Sequence, residues 1–233
     1  WAAVIVITTV VGIQALIFQD GGLLALGANM FNMALVGVAV SYFVYTTVTK
    51  LARGKPWGIF VGGALAAWSS IFIASLACAL EMAFSGTSPA SISVPAMGGI
   101  HALIGLGEAG ITVGALGLLY AARRDLFTAA ASAPAGSRVI WVGGLVIAVL
   151  LAVVSPLASA HPDGLEWVAG QNGFLETARA SLYDIIPDYV FPGIANEAAA
   201  TIIAAIVGVI IVFAVALGVA RLRRPARVEQ HAG

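Results

Sequence analysis

Six apolar runs occupy most of the chain, at residues 1–18, 23–47, 57–84, 97–122, 139–159 and 198–220. A helix needs about 20 mostly apolar residues to cross the hydrocarbon of a bilayer. Lipid offers no partner to a backbone N–H or C=O, so such runs must close their hydrogen bonds internally, as helices. They are also too long for barrel strands, which take about 10 residues. Composition agrees: 61% of residues are hydrophobic and 9% charged, against about 25% charged in an ordinary soluble domain. The expected fold is an all-α polytopic membrane protein with about six transmembrane helices, embedded in a lipid bilayer. A soluble globular enzyme, a disordered chain and a basic nucleic-acid binder are excluded, so no nucleic-acid partner is expected. Cys78 is the single cysteine, which excludes an internal disulfide and a cysteine-based zinc cage. It reads as a buried small hydrophobe.

Charge placement gives an orientation. Lys50, Arg53 and Lys55 follow the second run; Arg123, Arg124 and Arg138 separate the fourth from the fifth; Arg221, Arg223, Arg224 and Arg227 follow the sixth. If six helices alternate, all of these fall on one side, and only Arg179 opposes them. Basic residues stay on the cytoplasmic face. The C-terminus is therefore expected in the cytoplasm, in a multi-pass protein of the cell (plasma) membrane. Asp20, the 85–96 loop and the 160–197 segment are expected outside. Trp1 is not an initiator methionine and opens directly on apolar residues, which predicts that the sequence begins partway through a longer protein. The small-residue stretch 128–138 reads as a cytoplasmic linker. It divides residues 1–127, a four-helix block, from 139–233, a two-helix module.

Polar groups inside apolar runs are the candidates for chemistry, because they are costly in lipid. Gln19-Asp20-Gly21-Gly22 reads first as a tight turn. Gln14 precedes it, and Asn29, Asn32 and Met33 follow at i, i+3, i+4, the spacing of one helical face. Those amides are expected to point inward, either bonding a neighbouring helix or lining a polar cavity. In the fourth run, Glu108 falls near mid-membrane and His101 seven residues before it. The two share a face but stand about 10.5 Å apart along a helix, too far to ligate one ion together. They read as interhelical bonds or as part of a permeation path. Gly105-x-Gly107-x-x-Gly110 lies inside this helix; with no preceding strand it is not a dinucleotide fingerprint. These glycines, with Gly114, Gly117 and the Gly58/Gly62 pair, are expected to admit close helix approach. No P-loop, G-x-S-x-G or H-E-x-x-H occurs, so neither an ATPase site nor an enzyme activity is expected. Glu81 is expected at the outer interface.

The outer segment opens on His161-Pro162-Asp163-Gly164-Leu165-Glu166. His161, Asp163 and Glu166 are competent cation ligands, although a helix-ending turn is the simpler reading. Phe174, Ala178, Leu182, Ile185 and Tyr189 recur at helical spacing. They predict an amphipathic helix on the outer surface before the last span.

Three of these stretches together carry a resemblance. Phe18 through Asn29, continuing over Phe31-Asn32-Met33, is similar to the substrate-capture membrane component of cobalt and nickel energy-coupling-factor transporters, the CbiM/NikM type. His101-Ala-Leu-Ile-Gly-Leu-Gly-Glu108-Ala resembles a second stretch of that family. Pro162 to Glu166 resembles the PDGLE module often fused behind it. The resemblance implies the substrate-specific component of an ATP-driven importer of Co²⁺ or Ni²⁺. It implies as partners a transmembrane coupling (T) protein and cytoplasmic ATPase subunits, and it implies no covalently bound cofactor. In the family, the metal is held by an N-terminal Met-His and a further upstream histidine. No residue of this chain matches those positions, so no metal ligand is assigned here. Asp20, Asn29, Asn32, His101 and Glu108 are expected around the site or along the path, with His161, Asp163 and Glu166 as weaker outer-loop candidates. The alternative is a self-sufficient secondary carrier or channel using Glu108 and His101.

Overall fold

The computed structural model describes residues 1–122, 124–127, 138–157, 162–179 and 182–222. Among them helices dominate and no strand occurs. The first helix, α1 (Ala2–Phe18), is α-helical to Ile13 and π-wound over Gln14–Phe18. The second, α2 (Leu26–Leu51), is π-wound over Met30–Gly37. Then follow α3 (Trp57–Phe84), α4 (Ala90–Ala122), α5 (Arg138–Val154), a short α6 (Gly164–Asn172) and α7 (Glu197–Leu222). Among the described residues, four helices are long and apolar enough to cross a membrane: Leu26–Leu51, Trp57–Phe84, Ala90–Ala121 and Glu197–Val219. Ala2–Phe18 and Val142–Leu157 are shorter apolar helices. Large apolar side chains such as Leu103, Ile111 and Leu118 lie exposed along α4. In water such a surface would be a liability; against lipid it is the expected one.

The helix ends follow from local chemistry. Gln19 takes the left-handed conformation (φ 56°) and ends α1, its N–H bonding Gln14 O. Asp163 caps α6 by accepting from the Glu166 N–H at 2.7 Å. Asn196 caps α7 in the same way, accepting from the Ala199 N–H at 2.9 Å. Such caps satisfy donors that a first helical turn leaves free.

The tightest pairing is α3 against α4. Trp68 stacks on Phe72, centroids 5.0 Å apart, and its Nε1–H donates to Ala102 O at 3.0 Å. Gly105 makes room for this indole: a Cβ there would stand 2.8 Å from Trp68 Cδ1. Ser93 Oγ donates across the pair to Ala79 O at 3.0 Å. The glycine expectation therefore holds at Gly105, and also at Gly58 and Gly62, where Ala52 and Tyr45 press in. Gly107, Gly110, Gly114 and Gly117 have nothing of the described residues within contact.

The turns at 19–25 and 85–89 and residues 162–179 and 182–196 gather at one end of the bundle, the arm end. Residues 162–179 and 182–196 form an arm with two seats. At one, Val168, Ala169 and Phe174 bury against Ala79 of α3 and Met97 of α4. At the other, Ile186 buries against Phe18 of α1 and Ala204 of α7, with Tyr189 and Phe191 packed around them. The expected amphipathic helix over 174–189 is corrected here. Gly173 (φ 75°) ends α6, and beyond it the described residues form only short 3-10 turns at Leu175–Thr177 and Pro187–Tyr189. Of the residues that seemed one stripe, Phe174 packs at the first seat and Tyr189 at the second, while Leu182 and Ile185 are exposed.

Candidate functional site

The polar groups of the arm end fall into three constellations. In the first, Tyr189 donates its phenol O–H to Asp20 Oδ2 at 2.7 Å and accepts from Gln14 Nε2 at 3.0 Å. Gln14 Nε2 also reaches Asp20 Oδ2 at 3.2 Å. The Tyr189 ring stacks on Phe18, centroids 4.5 Å apart and planes 17° apart. A backbone bond holds the arm alongside, the Ile186 N–H donating to Ile17 O at 3.1 Å, and the Tyr183 side-chain O–H donates to Leu16 O at 2.9 Å. Asp188 and Tyr189 adopt φ of 51° and 58°, a left-handed conformation unusual for bulky residues and costing about 1 kcal/mol or more each. The stack and the two phenol hydrogen bonds offset that strain. Burial, together with the negative charge of Asp20, pushes the Tyr189 phenol well above its ordinary pKa, although the Gln14 hydrogen bond acts the other way.

Below this triad, α1, α7, the end of α5 and the arm enclose a groove of about 790 Å³. Its wall is mostly apolar, with Gln14, Ser155, Asp188, Tyr189, Glu197 and Thr201 as its polar side chains.

In the second constellation, Asn32 of α2 is 5% exposed and donates from Nδ2 to Glu81 Oε2 of α3 at 2.7 Å. Its carbonyl oxygen Oδ1 is buried and has no hydrogen-bond partner. Gln19 buries both side-chain polar atoms, again with no partner. The shared face expected of Asn29, Asn32 and Met33 is not observed. Asn29 Nδ2 bonds Gly21 O at 3.1 Å, Asn32 turns to Glu81, and Met33 is 48% exposed. The π winding explains this, since its i→i+5 bonds break the 3.6-residue period on which the expectation rested.

In the third, His101 Nδ1 pairs with Met97 O at 2.8 Å. The far edge of its ring lies against the start of α6: a Cβ on Gly164 would stand 2.8 Å from His101 Nε2 and Cε1. Glu108 lies on an exposed face of α4. The structure thus joins Asp20 to Gln14, Asn29 to the Gly21 turn and His101 to α6, without joining His101 to Glu108. Asp163 is spent as the α6 cap and Glu166 is exposed; His161 lies outside the described residues. Among the described residues no group of three or more His, Cys, Asp or Glu side chains is placed to hold a metal ion. Sequence reasoning passed over two partners. Glu81 was assigned to the interface, and Tyr189 was counted as one position of an apolar stripe. Neither pairing leaves a local sequence signal, because each partner comes from a distant element.

Apolar helices carrying polar chemistry at one end define a polytopic integral membrane protein. Comparison with known proteins sharpens the class. Residues 1–126 match the family model described as the cobalt uptake substrate-specific transmembrane region, CbiM, and residues 138–225 match the PDGLE domain. The chain belongs to the CbiM family, with a PDGLE domain fused behind it. A relative in Archaeoglobus fulgidus, provisionally named fused nickel transport protein NikMN, is 36% identical over 97% of this chain and 74% of its own length. The fused nickel transport protein NikMN of Rhodobacter capsulatus is 31% identical over 78% of this chain and 57% of its own. The cobalt transport protein CbiM of Sorangium cellulosum is 32% identical over 54% of this chain and 57% of its own. No solved structure matches the chain.

Proposed function

We propose that this chain is the substrate-specific membrane component of an ATP-driven, energy-coupling-factor importer for a divalent transition metal, Co²⁺ or Ni²⁺. The observation that carries this reading is the match of one chain to both parts, CbiM and PDGLE, shared with relatives named as nickel transporters. A T protein and cytoplasmic ATPase subunits would supply the energy. The arm end would face outward, with the basic C-terminus in the cytoplasm, which fits the positive-inside rule. Ala2–Phe18 and Val142–Leu157 would then cross the bilayer with the four longer helices, shortened by local thinning or flanking residues. Residues 1–127 would form the capture unit and 139–233 the accessory module, joined through 128–138. Asp20, Asn29 and Asn32 would stand around the metal's entry, and His101 would seat α6. Glu108 would face whatever packs on the exposed side of α4, because a bare carboxylate in lipid costs several kcal/mol. Asp163 and Glu166 would serve the α6 turn before any cation.

The test is uptake of Ni²⁺ and Co²⁺ by cells expressing the complete transporter, with and without an intact ATPase. Uptake abolished by an ATPase mutation supports the proposal. Uptake that persists without any ATPase favours a self-sufficient carrier instead.

A further inference from the structure

Asn32 is the most deeply buried polar side chain among the helix–helix contacts of α2, yet half of its amide is used. Nδ2 donates to Glu81 Oε2 at 2.7 Å, while Oδ1 is buried with no partner. An amide flips freely between its two hydrogen-bonding senses unless a neighbour fixes it. Glu81 fixes it here. An ionised carboxylate only accepts, so the NH₂ must face Glu81 and the carbonyl oxygen must face away from it. A buried acceptor left without a donor costs about 1–3 kcal/mol. Keeping that cost in a membrane helix makes sense if a donor arrives during function.

We infer that Glu81 is a positioning residue: it locks the Asn32 amide so that Oδ1 receives a hydrogen bond from water bound to the incoming divalent cation. The inference rests on the transport reading above and names one contact within it. Two features support the assignment. An acceptor suits metal-bound water, whose protons are made more acidic by the ion, and groups one layer out from a metal set the orientation and affinity of what it binds. The carboxylate also places negative charge beside the contact, favouring the approach of a cation. The π winding over Met30–Gly37 matters because it turns Asn32 to Glu81 while Met33 stays exposed. Irregular helical turns of this kind recur at functional sites.

The experiment measures initial rates of Ni²⁺ and Co²⁺ uptake against metal concentration, in cells carrying the complete transporter. Glu81→Gln is nearly isosteric but can donate to Asn32 Oδ1, freeing the amide to flip. Asn32→Ala removes the acceptor. Each is expected to raise KM about tenfold, the lower end of what such outer contacts contribute to metal affinity, with the maximal rate little changed. Because the pair acts as one unit, the double variant should be no worse than the poorer single one. Glu81→Asp, which still only accepts, should restore most of the affinity. Wild-type KM in Glu81→Gln, additive effects in the double variant, or failure of Glu81→Asp to rescue would overturn the inference. If Asn32→Ala raises KM while Glu81→Gln does not, the inference fails and the transport reading stands. A wild type with no Ni²⁺ or Co²⁺ uptake would overturn both.

Discussion

Replacing Tyr189 with Phe removes one oxygen atom and leaves the stack on Phe18 intact, so it isolates the hydrogen bonds that hold the arm's second seat. Two bonds are lost: the one Tyr189 donates to Asp20 at 2.7 Å and the one it accepts from Gln14 at 3.0 Å. A bond to a charged group contributes about 1.5–3 kcal/mol and a neutral one about 0.5–1.5. Asp20 is exposed and keeps Gln14 as a donor at 3.2 Å, so the lower ends of both ranges apply. The net cost is about 2 kcal/mol, or roughly a 30-fold shift toward an undocked arm. The Ile186 N–H is the reporter, since it donates to Ile17 O across the same contact. Its hydrogen exchange in lipid nanodiscs should speed up by about that factor, while amides in the middle of α3 and α4 stay as protected as before. Unchanged Ile186 protection in Tyr189→Phe would refute the claim that the phenol holds the arm against the strain at Asp188 and Tyr189.

Other expectations follow from the same contacts. Gly164→Ala drives a methyl group into the His101 ring and Ile104, so α6 should detach from α4 at a cost of about 1–3 kcal/mol, read as faster exchange in α6. Gly105→Ala collides with Trp68 and Ile71 and should break the Trp68–Ala102 hydrogen bond, red-shifting tryptophan emission and lowering stability by a similar amount in detergent unfolding. The Tyr189 phenol should ionise only well above its ordinary value, because burial favours the neutral form. A group whose pKa is raised on docking supports the docked state fully below its free pKa, near 10, and loses that support as pH rises through the docked value. Alkaline absorbance titration should therefore show one phenol, absent in Tyr189→Phe, titrating after the rest.

The helices and the family resemblance were legible because they rest on local information. Apolar runs bounded by Asp20-Gly21-Gly22, Gly54-x-Pro56 and Ser85-Gly86 place most boundaries within a few residues. The motifs at Phe18–Met33, His101–Ala109 and Pro162–Glu166 name the family without reference to any fold. What was not legible depends on distance or on backbone winding. A π turn shifts each hydrogen bond by one residue and leaves no compositional mark, so the common face of Asn29, Asn32 and Met33 was misjudged. Phe174 and Tyr189 read as one stripe because periodicity cannot show that they pack in different places. The pairing of Asn32 with Glu81 spans 49 residues and that of Gln14 with Tyr189 spans 175. Only packing reveals such partners.

The two seats of the arm also bear on how helices move. One seat grips α3 and α4, the other α1 and α7. Between them the described residues form only short 3-10 turns, at Leu175–Thr177 and Pro187–Tyr189. An inelastic crosspiece would force both helix pairs to tilt together. With only these short turns between the seats, a movement that parted the two helix pairs would load the Asp188–Tyr189 end, where left-handed backbone already carries a conformational cost.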